Sequence, residues 1–187
     1  MTRKIGLAGK SGSGKDLIAD YIGERYGFRK IAVADGIREE VKDFLSNALL
    51  EQVIHSNIEP IHFQMVWEAY MNSVWDKPTS PEMRVMLQWW GTEYRRSQDP
   101  SYWTKKLAEQ LKNDDLMVIS DIRTPDEMRT VQVVGGEIWF VERPGVESVG
   151  IAGHYTEVAL EGATFDKAIS NDGTIEELKS KIDSYLS

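Results

Sequence analysis

Two rhythms of apolar and polar positions alternate along the chain. Short solid apolar runs mark buried strands at residues 4–8 (KIGLA), 116–120 (LMVIS) and 137–142 (EIWFVE). A further apolar segment lies at 28–34, and FDKAIS at 165–170 fits a last short strand. Between them lie stretches with helical spacing. In 16–26 the spaced residues are Leu17, Ile18, Tyr21 and Ile22; in 100–112 they are Tyr102, Trp103, Leu107 and Leu111. Further helices are predicted over 35–54, from Pro81 through EMRVMLQWWGTEYRR, from Thr124 or Pro125 to about Val134, and over 174–186. Gly135 and Gly136 stop the third of these. Within 55–80, FQMVWEAYMNSVW reads as an aromatic helix and DKPTSP as a loop. RPGVESVGIAGHYTEVALEG, at 143–162, reads as loop with room for one short helix. Strands that alternate with helices imply an α/β fold whose parallel sheet is covered on both faces.

Composition narrows the class. At 187 residues the chain suits one domain able to bury a real core. Hydrophobic residues at 41% and charged residues at 28% are the proportions of a soluble globular protein. Cysteine is absent, which excludes a disulfide framework and a thiolate metal site. No apolar run approaches the roughly 18 residues needed to cross a membrane. MTRKIGLAGK holds too short an apolar segment for a secretory signal, so the expected location is the cytoplasm with no membrane partner. The net charge of −8 weighs against a nucleic-acid partner, because polynucleotide affinity comes largely from phosphate neutralisation. Small anionic ligands need only a few cations in one place. A homodimer is compatible with the sequence, which does not fix the oligomeric state.

The loop after the first strand carries the chemistry. Gly9, Lys10, Ser11, Gly12, Ser13, Gly14 and Lys15 fit the phosphate-loop pattern G-x-x-x-x-G-K-[ST] up to its last position, where Asp16 stands for the hydroxyl residue. Glycines let backbone N–H groups approach phosphate oxygens, and the helix N-terminus adds positive potential. Lys15 would reach the outer phosphates. A flexible Gly/Ser turn is the bland alternative, which the strand–loop–helix context disfavours. Asp16 has two readings. It suits magnesium as a hard oxygen ligand, directly or through water, and it equally suits the first turn of a helix. Asp121, at the end of the LMVIS strand, is the expected carboxylate partner for a magnesium ion or its waters.

A transferase must also hold an acceptor and neutralise the group in flight. Arginine forks suit that role, and Arg38, Arg95, Arg96, Arg123 and Arg143 are candidates. Arg38, Arg123 and Arg143 lie past strand ends, the edge where open α/β sheets bind ligands. Asp35 suits an acceptor contact or a helix cap. The aromatics Trp89, Trp90, Tyr94, Tyr102 and Trp103 suit base stacking, although such spacing more often marks core. His154 has no other histidine at metal-ligand spacing.

The segments GKSGSGKD, VADGIREE, LQWWGTEYRRSQDPSYWTKKL, VISDIRTPDEMRTVQVVGGEIWFVERPG, HYTE and ISNDGTIEEL occur in this order. Together they resemble the deoxynucleoside monophosphate kinases of bacteriophages, within the P-loop nucleotide kinase superfamily. Residues 47–78 match least. The resemblance implies a three-layer α/β/α sandwich with a parallel sheet of about five strands. It also implies ATP- and magnesium-dependent phosphorylation of deoxynucleoside monophosphates. In that pattern Gly9 to Asp16 would bind ATP phosphates, with Asn171, Gly173 and Thr174 near the adenine. Asp35, Arg38, Gln88, Trp89, Glu93, and Arg95 or Arg96 would serve the acceptor, with His154 and Glu157 from the later loop. Asp121 and Asp16 would serve the metal, and Lys15, Arg123 and Arg143 would be the catalytic cations. Within a single domain over 1–187, about 36–115 would be a helical acceptor-binding insertion and about 143–157 a lid-like loop. That loop lacks the arginine density of many nucleotide kinases. Two rival readings stand beside this one: another acceptor, such as a hydroxymethylpyrimidine in DNA or a small phosphate ester, and a nucleotide-binding protein without turnover.

Overall fold

The computed structural model describes residues 2–54, 80–145, 159–160 and 162–187. The expected aromatic helix within 55–80, and residues 146–157 of the expected lid with His154 and Glu157, lie outside the described residues. Five strands form one sheet: β1 (Arg3–Ala8), β2 (Arg29–Ile31), β3 (Leu116–Ile122), β4 (Glu137–Glu142) and β5 (Lys167–Ser170). Their spatial order is β2-β3-β1-β4-β5, and every pairing is parallel. The described helices are α1 (Lys15–Tyr26), α2 (Val33–Ile54), α3 (Pro81–Trp89), α4 (Arg95–Gln98), α5 (Tyr102–Gln110), α6 (Pro125–Val133) and α7 (Ile175–Leu186). The chain separates into two compact units, one made of Met1–Val33 with Trp103–Ser187 and the other of Ala34–Tyr102.

The first unit is a three-layer sandwich, and strand alternation explains why. Ile5, Leu7, Val118, Trp139, Val141 and Ile169 point to one face, where Ile18, Ala19 and Ile22 of α1 and Leu178 and Ile182 of α7 cover them. Ala8, Ile31, Met117, Ile119 and Ile138 belong to the opposite face, under Leu107, Leu111 and Val131. Central strands buried on both faces need solid apolar runs, which is the pattern read from the sequence. One expectation shifts. Leu17 lies on the flank of α1 at 39% exposure, while Ile18 and Ile22 face the sheet. The ridges Leu17–Tyr21 and Ile18–Ile22 have the same spacing, so periodicity alone cannot choose between them.

Helix ends follow local chemistry. Thr124 caps α6: its hydroxyl accepts from the Glu127 N–H, and the Glu127 carboxylate accepts from the Thr124 N–H. Pro125 takes the first helical position. Thr174 and Glu177 repeat the device at α7.

In the second unit, the single helix expected from Pro81 widens at Trp90–Tyr94 into a π-helical turn. The Arg95 N–H donates to the Trp90 carbonyl across that turn. Widening brings position i+5 over position i, so the Arg95 guanidinium sits 5.4 Å from the Trp90 ring centre. Glu40 of α2 ties the region together. Its carboxylate accepts from the Trp90 indole at 3.0 Å, from Arg95 Nε at 2.7 Å and from the Tyr102 hydroxyl. Gly91 makes close approach possible, since a β-carbon there would lie 2.8 Å from Ile37 Cδ1.

Candidate active site

The chain leaves β1 toward one face of the sheet, as α1, and leaves β3 toward the other, by way of α6. These strands are neighbours, so the loops after them part at their C-terminal ends. Such a switch point is where open parallel sheets hold ligands. Residues 9–14 follow β1 there, and Asp121 sits near the end of β3, whose Ile122 pairs with Ala8.

Backbone conformation shows why the loop is rich in glycine. Gly9, Gly12 and Gly14 have φ of 140°, 81° and 103°, values that side chains resist. Gly9 is doubly constrained, because a β-carbon would fall inside contact distance of the Val141 carbonyl oxygen. Lys15 opens α1 and is buried, and its ammonium donates to the carbonyls of Gly9 at 2.6 Å and Lys10 at 2.7 Å. The loop is thus folded around a cation. Asn171, just past β5, braces it from the side: Nδ2 donates to the Ser13 carbonyl at 2.9 Å, and its own N–H donates to the Glu142 carbonyl.

Asp16 lies in the first turn of α1, where a carboxylate complements the helix dipole. Its Oδ1 is 3.1 Å from Lys30 Nζ, and the same ammonium lies 2.7 Å from Asp20 Oδ1. Lys30, on β2, was not singled out in the sequence. Burial pushes its pKa down, but the hydrogen bonds to Asp20 and Asp16 outweigh this and leave it raised. Asp121 is buried, and its Oδ1 accepts from the Val33 N–H at 2.7 Å, which fixes the carboxylate and the start of α2 together. Arg123 follows β3 with its N–H bonded to Glu127. Arg143 is exposed after β4. Gly173 and Thr174 form the entry to α7, where the Thr174 hydroxyl is a helix cap. Among the described residues no cluster of three or more acidic or histidine side chains could hold a metal ion by itself. Asp16 and Asp121 are hard oxygen donors, the type that suits magnesium shared with phosphate oxygens and waters.

The remaining candidates belong to the second unit. Arg38 pairs with Asp35 at 3.4 Å along α2. Arg95 is engaged by Glu40 and lies over the Trp90, Tyr94 and Tyr102 rings at 5.4, 5.3 and 5.0 Å. Arg96 is half-buried and Glu93 exposed. Trp89 is 48% exposed and stacks on Tyr94, whereas Trp90 and Trp103 are core residues, as their spacing favoured. Gln88 Oε1 is buried without a hydrogen-bond partner among the described residues. Such an acceptor is costly to leave empty. Glu40 is the functional-unit residue that sequence reasoning missed; its partners lie 50 to 62 positions away.

A family model for deoxynucleotide monophosphate kinase matches residues 45–182, well over half of the chain. The glycine loop precedes the matched residues. The chain is 38% identical over 93 residues to a deoxynucleotide monophosphate kinase of Escherichia phage RB69, a match spanning 47% of this chain and 37% of that protein. It is 29% identical over 195 residues to a putative deoxynucleotide monophosphate kinase of Acanthamoeba polyphaga mimivirus, spanning 95% and 93%. A sugar kinase from Janibacter sp. HTCC2649, of known crystal structure, shares the fold with a TM-score of 0.52 at 15% identity, covering 100% of this chain and 95% of that one. On the match over residues 45–182, the chain belongs to the deoxynucleotide monophosphate kinase family.

Proposed function

We propose that the protein transfers the terminal phosphate of ATP to a deoxynucleoside monophosphate, with magnesium, giving the diphosphate. The observation that carries this reading is the buried Lys15 ammonium folded into a positive-φ glycine loop at the sheet's switch point. Family membership supplies the acceptor class.

The loop and Lys15 would bind and orient the ATP phosphates. Magnesium, held by Asp121 and by Asp16 directly or through water, would neutralise charge on the phosphates. Arg123 and Arg143 would add cationic contacts to the group in flight. The acceptor phosphate is already ionised near neutral pH, so positioning and charge neutralisation suffice without a strong general base. Asp35, Arg38, Gln88, Trp89, Glu93 and Arg96 would serve the acceptor, with residues 143–157 as a lid. In this reading Arg95 acts through its place in the Glu40 network. The Gln88 oxygen, buried without a partner among the described residues, supports an acceptor contact at that residue. The expected setting is the cytoplasm.

Incubation with ATP, magnesium and each of the four common deoxynucleoside monophosphates, with ribonucleotide controls, tests the reading. At least one deoxynucleoside diphosphate should form. Protein that binds ATP yet converts none of them would rule it out. Lys15→Ala should cut turnover by about 100-fold or more while keeping the fold; unchanged turnover would remove this loop as the donor site.

A further inference from the structure

The position after the phosphate-loop lysine ordinarily supplies a neutral hydroxyl. Here it supplies a negative charge in the first turn of α1, directly after the loop that the donor-site reading gives to a polyanion. One turn later α1 carries a second carboxylate, Asp20, on the same side of the helix. Lys30 reaches both from β2, with its ammonium 3.1 Å from Asp16 and 2.7 Å from Asp20. The lysine side chain is 30% exposed and both of its partners are more than half exposed, so the trio faces solvent. An exposed pair of this kind does little for stability. Its sign and place matter more than its strength.

We propose that Lys30 is a positioning residue of the donor site, a fixed counter-cation that neutralises Asp16 so that the loop accepts a nucleotide polyphosphate before any divalent ion is present. The inference rests on the donor-site reading given above. Asp20 anchors the ammonium from the far side, so Lys30 remains in place when Asp16 turns to another cation. The shorter of the two contacts, to Asp20, fits that division of labour. A merely structural lysine would serve both carboxylates alike. A counter-cation for the phosphate site matters most at Asp16, the carboxylate next to the loop.

The test measures ATP binding by calorimetry in EDTA, with no turnover involved. Lys30→Met should weaken metal-free ATP binding about three- to tenfold, the scale of one partly screened charge a few ångströms away. Lys30→Arg should bind as the parent does. Adding Asp16→Asn to Lys30→Met should restore affinity, whereas adding Asp20→Asn should restore less. Asp16→Asn alone should tighten metal-free binding, a result that does not depend on the Lys30 variants folding. Equal affinity for the parent and Lys30→Met, equal rescue by the two asparagine variants, or no tightening in Asp16→Asn would each overturn the proposal. Lys15→Ala separates the two levels. If it binds ATP as the parent does, the donor-site reading fails and this inference falls with it. If it loses ATP binding while Lys30→Met does not, only this inference fails.

Discussion

Gln88 and Gly9 impose opposite demands at single positions. The Gln88 side-chain oxygen is buried with no donor to satisfy it among the described residues. In the reading proposed above, that acceptor is kept for the monophosphate, which offsets the cost of burying it. Gln88→Leu should therefore raise the KM for the monophosphate several-fold and leave the KM for ATP unchanged, with melting temperature equal or higher. An equal rise in both constants would assign the residue to general packing. Gly9 has no tolerance at all. Its φ of 140° and its approach to the Val141 carbonyl leave no room for a methyl group. Gly9→Ala should cost about 1–3 kcal/mol and abolish ATP binding, read by denaturation and calorimetry on the same sample.

At the scale of elements, Glu40 gathers the π-helical turn, Arg95 and Tyr102 onto one carboxylate. Glu40→Ala would leave an indole N–H, a hydroxyl and a guanidinium without their acceptor. The expected loss is about 2–3 kcal/mol, larger than for Glu40→Gln, which keeps one acceptor oxygen; urea unfolding followed by tryptophan fluorescence measures both. The network also marks what was legible in the chain. The strands were, because the middles of β1, β3 and β4 are buried on both faces and carry short apolar runs. The start of α6 was, because Thr124, Pro125 and Glu127 are a local capping signal. The glycine-rich turn between β1 and α1 was, because its positive-φ positions lie within seven consecutive residues. The π turn, the Glu40 hub and the Lys30 bridge were not. Each is fixed by side chains far apart in sequence, and helical periodicity says nothing of which residue on another element will meet them.

For the molecule as a whole, α1 and α7 are stapled outside the core by two tyrosines on one carboxylate. Tyr21 and Tyr26 each donate to Asp183 at 2.7 Å. Those two bonds hold the Asp183 carboxyl below its ordinary value. The bond to Asp183 likewise holds each phenol above its own. The carboxylate's contribution is therefore full above about pH 4 and fades as pH falls through its depressed folded value. The phenols contribute fully below about pH 10 and lose that contribution as pH rises through their raised folded values. Urea midpoints measured across pH should fall on both sides of a neutral plateau. Asp183→Asn should flatten both limbs, and an unchanged acid limb would refute the assignment.

Asn171 carries a consequence in time. The glycine loop leaves the ribosome before Asn171, whose amide holds the Ser13 carbonyl and which follows it by 158 residues. The same asparagine is tied to Glu142, at the end of β4. During synthesis, then, the loop is written well before the residue that braces it. Until the fifth strand docks, the glycine loop lacks its brace.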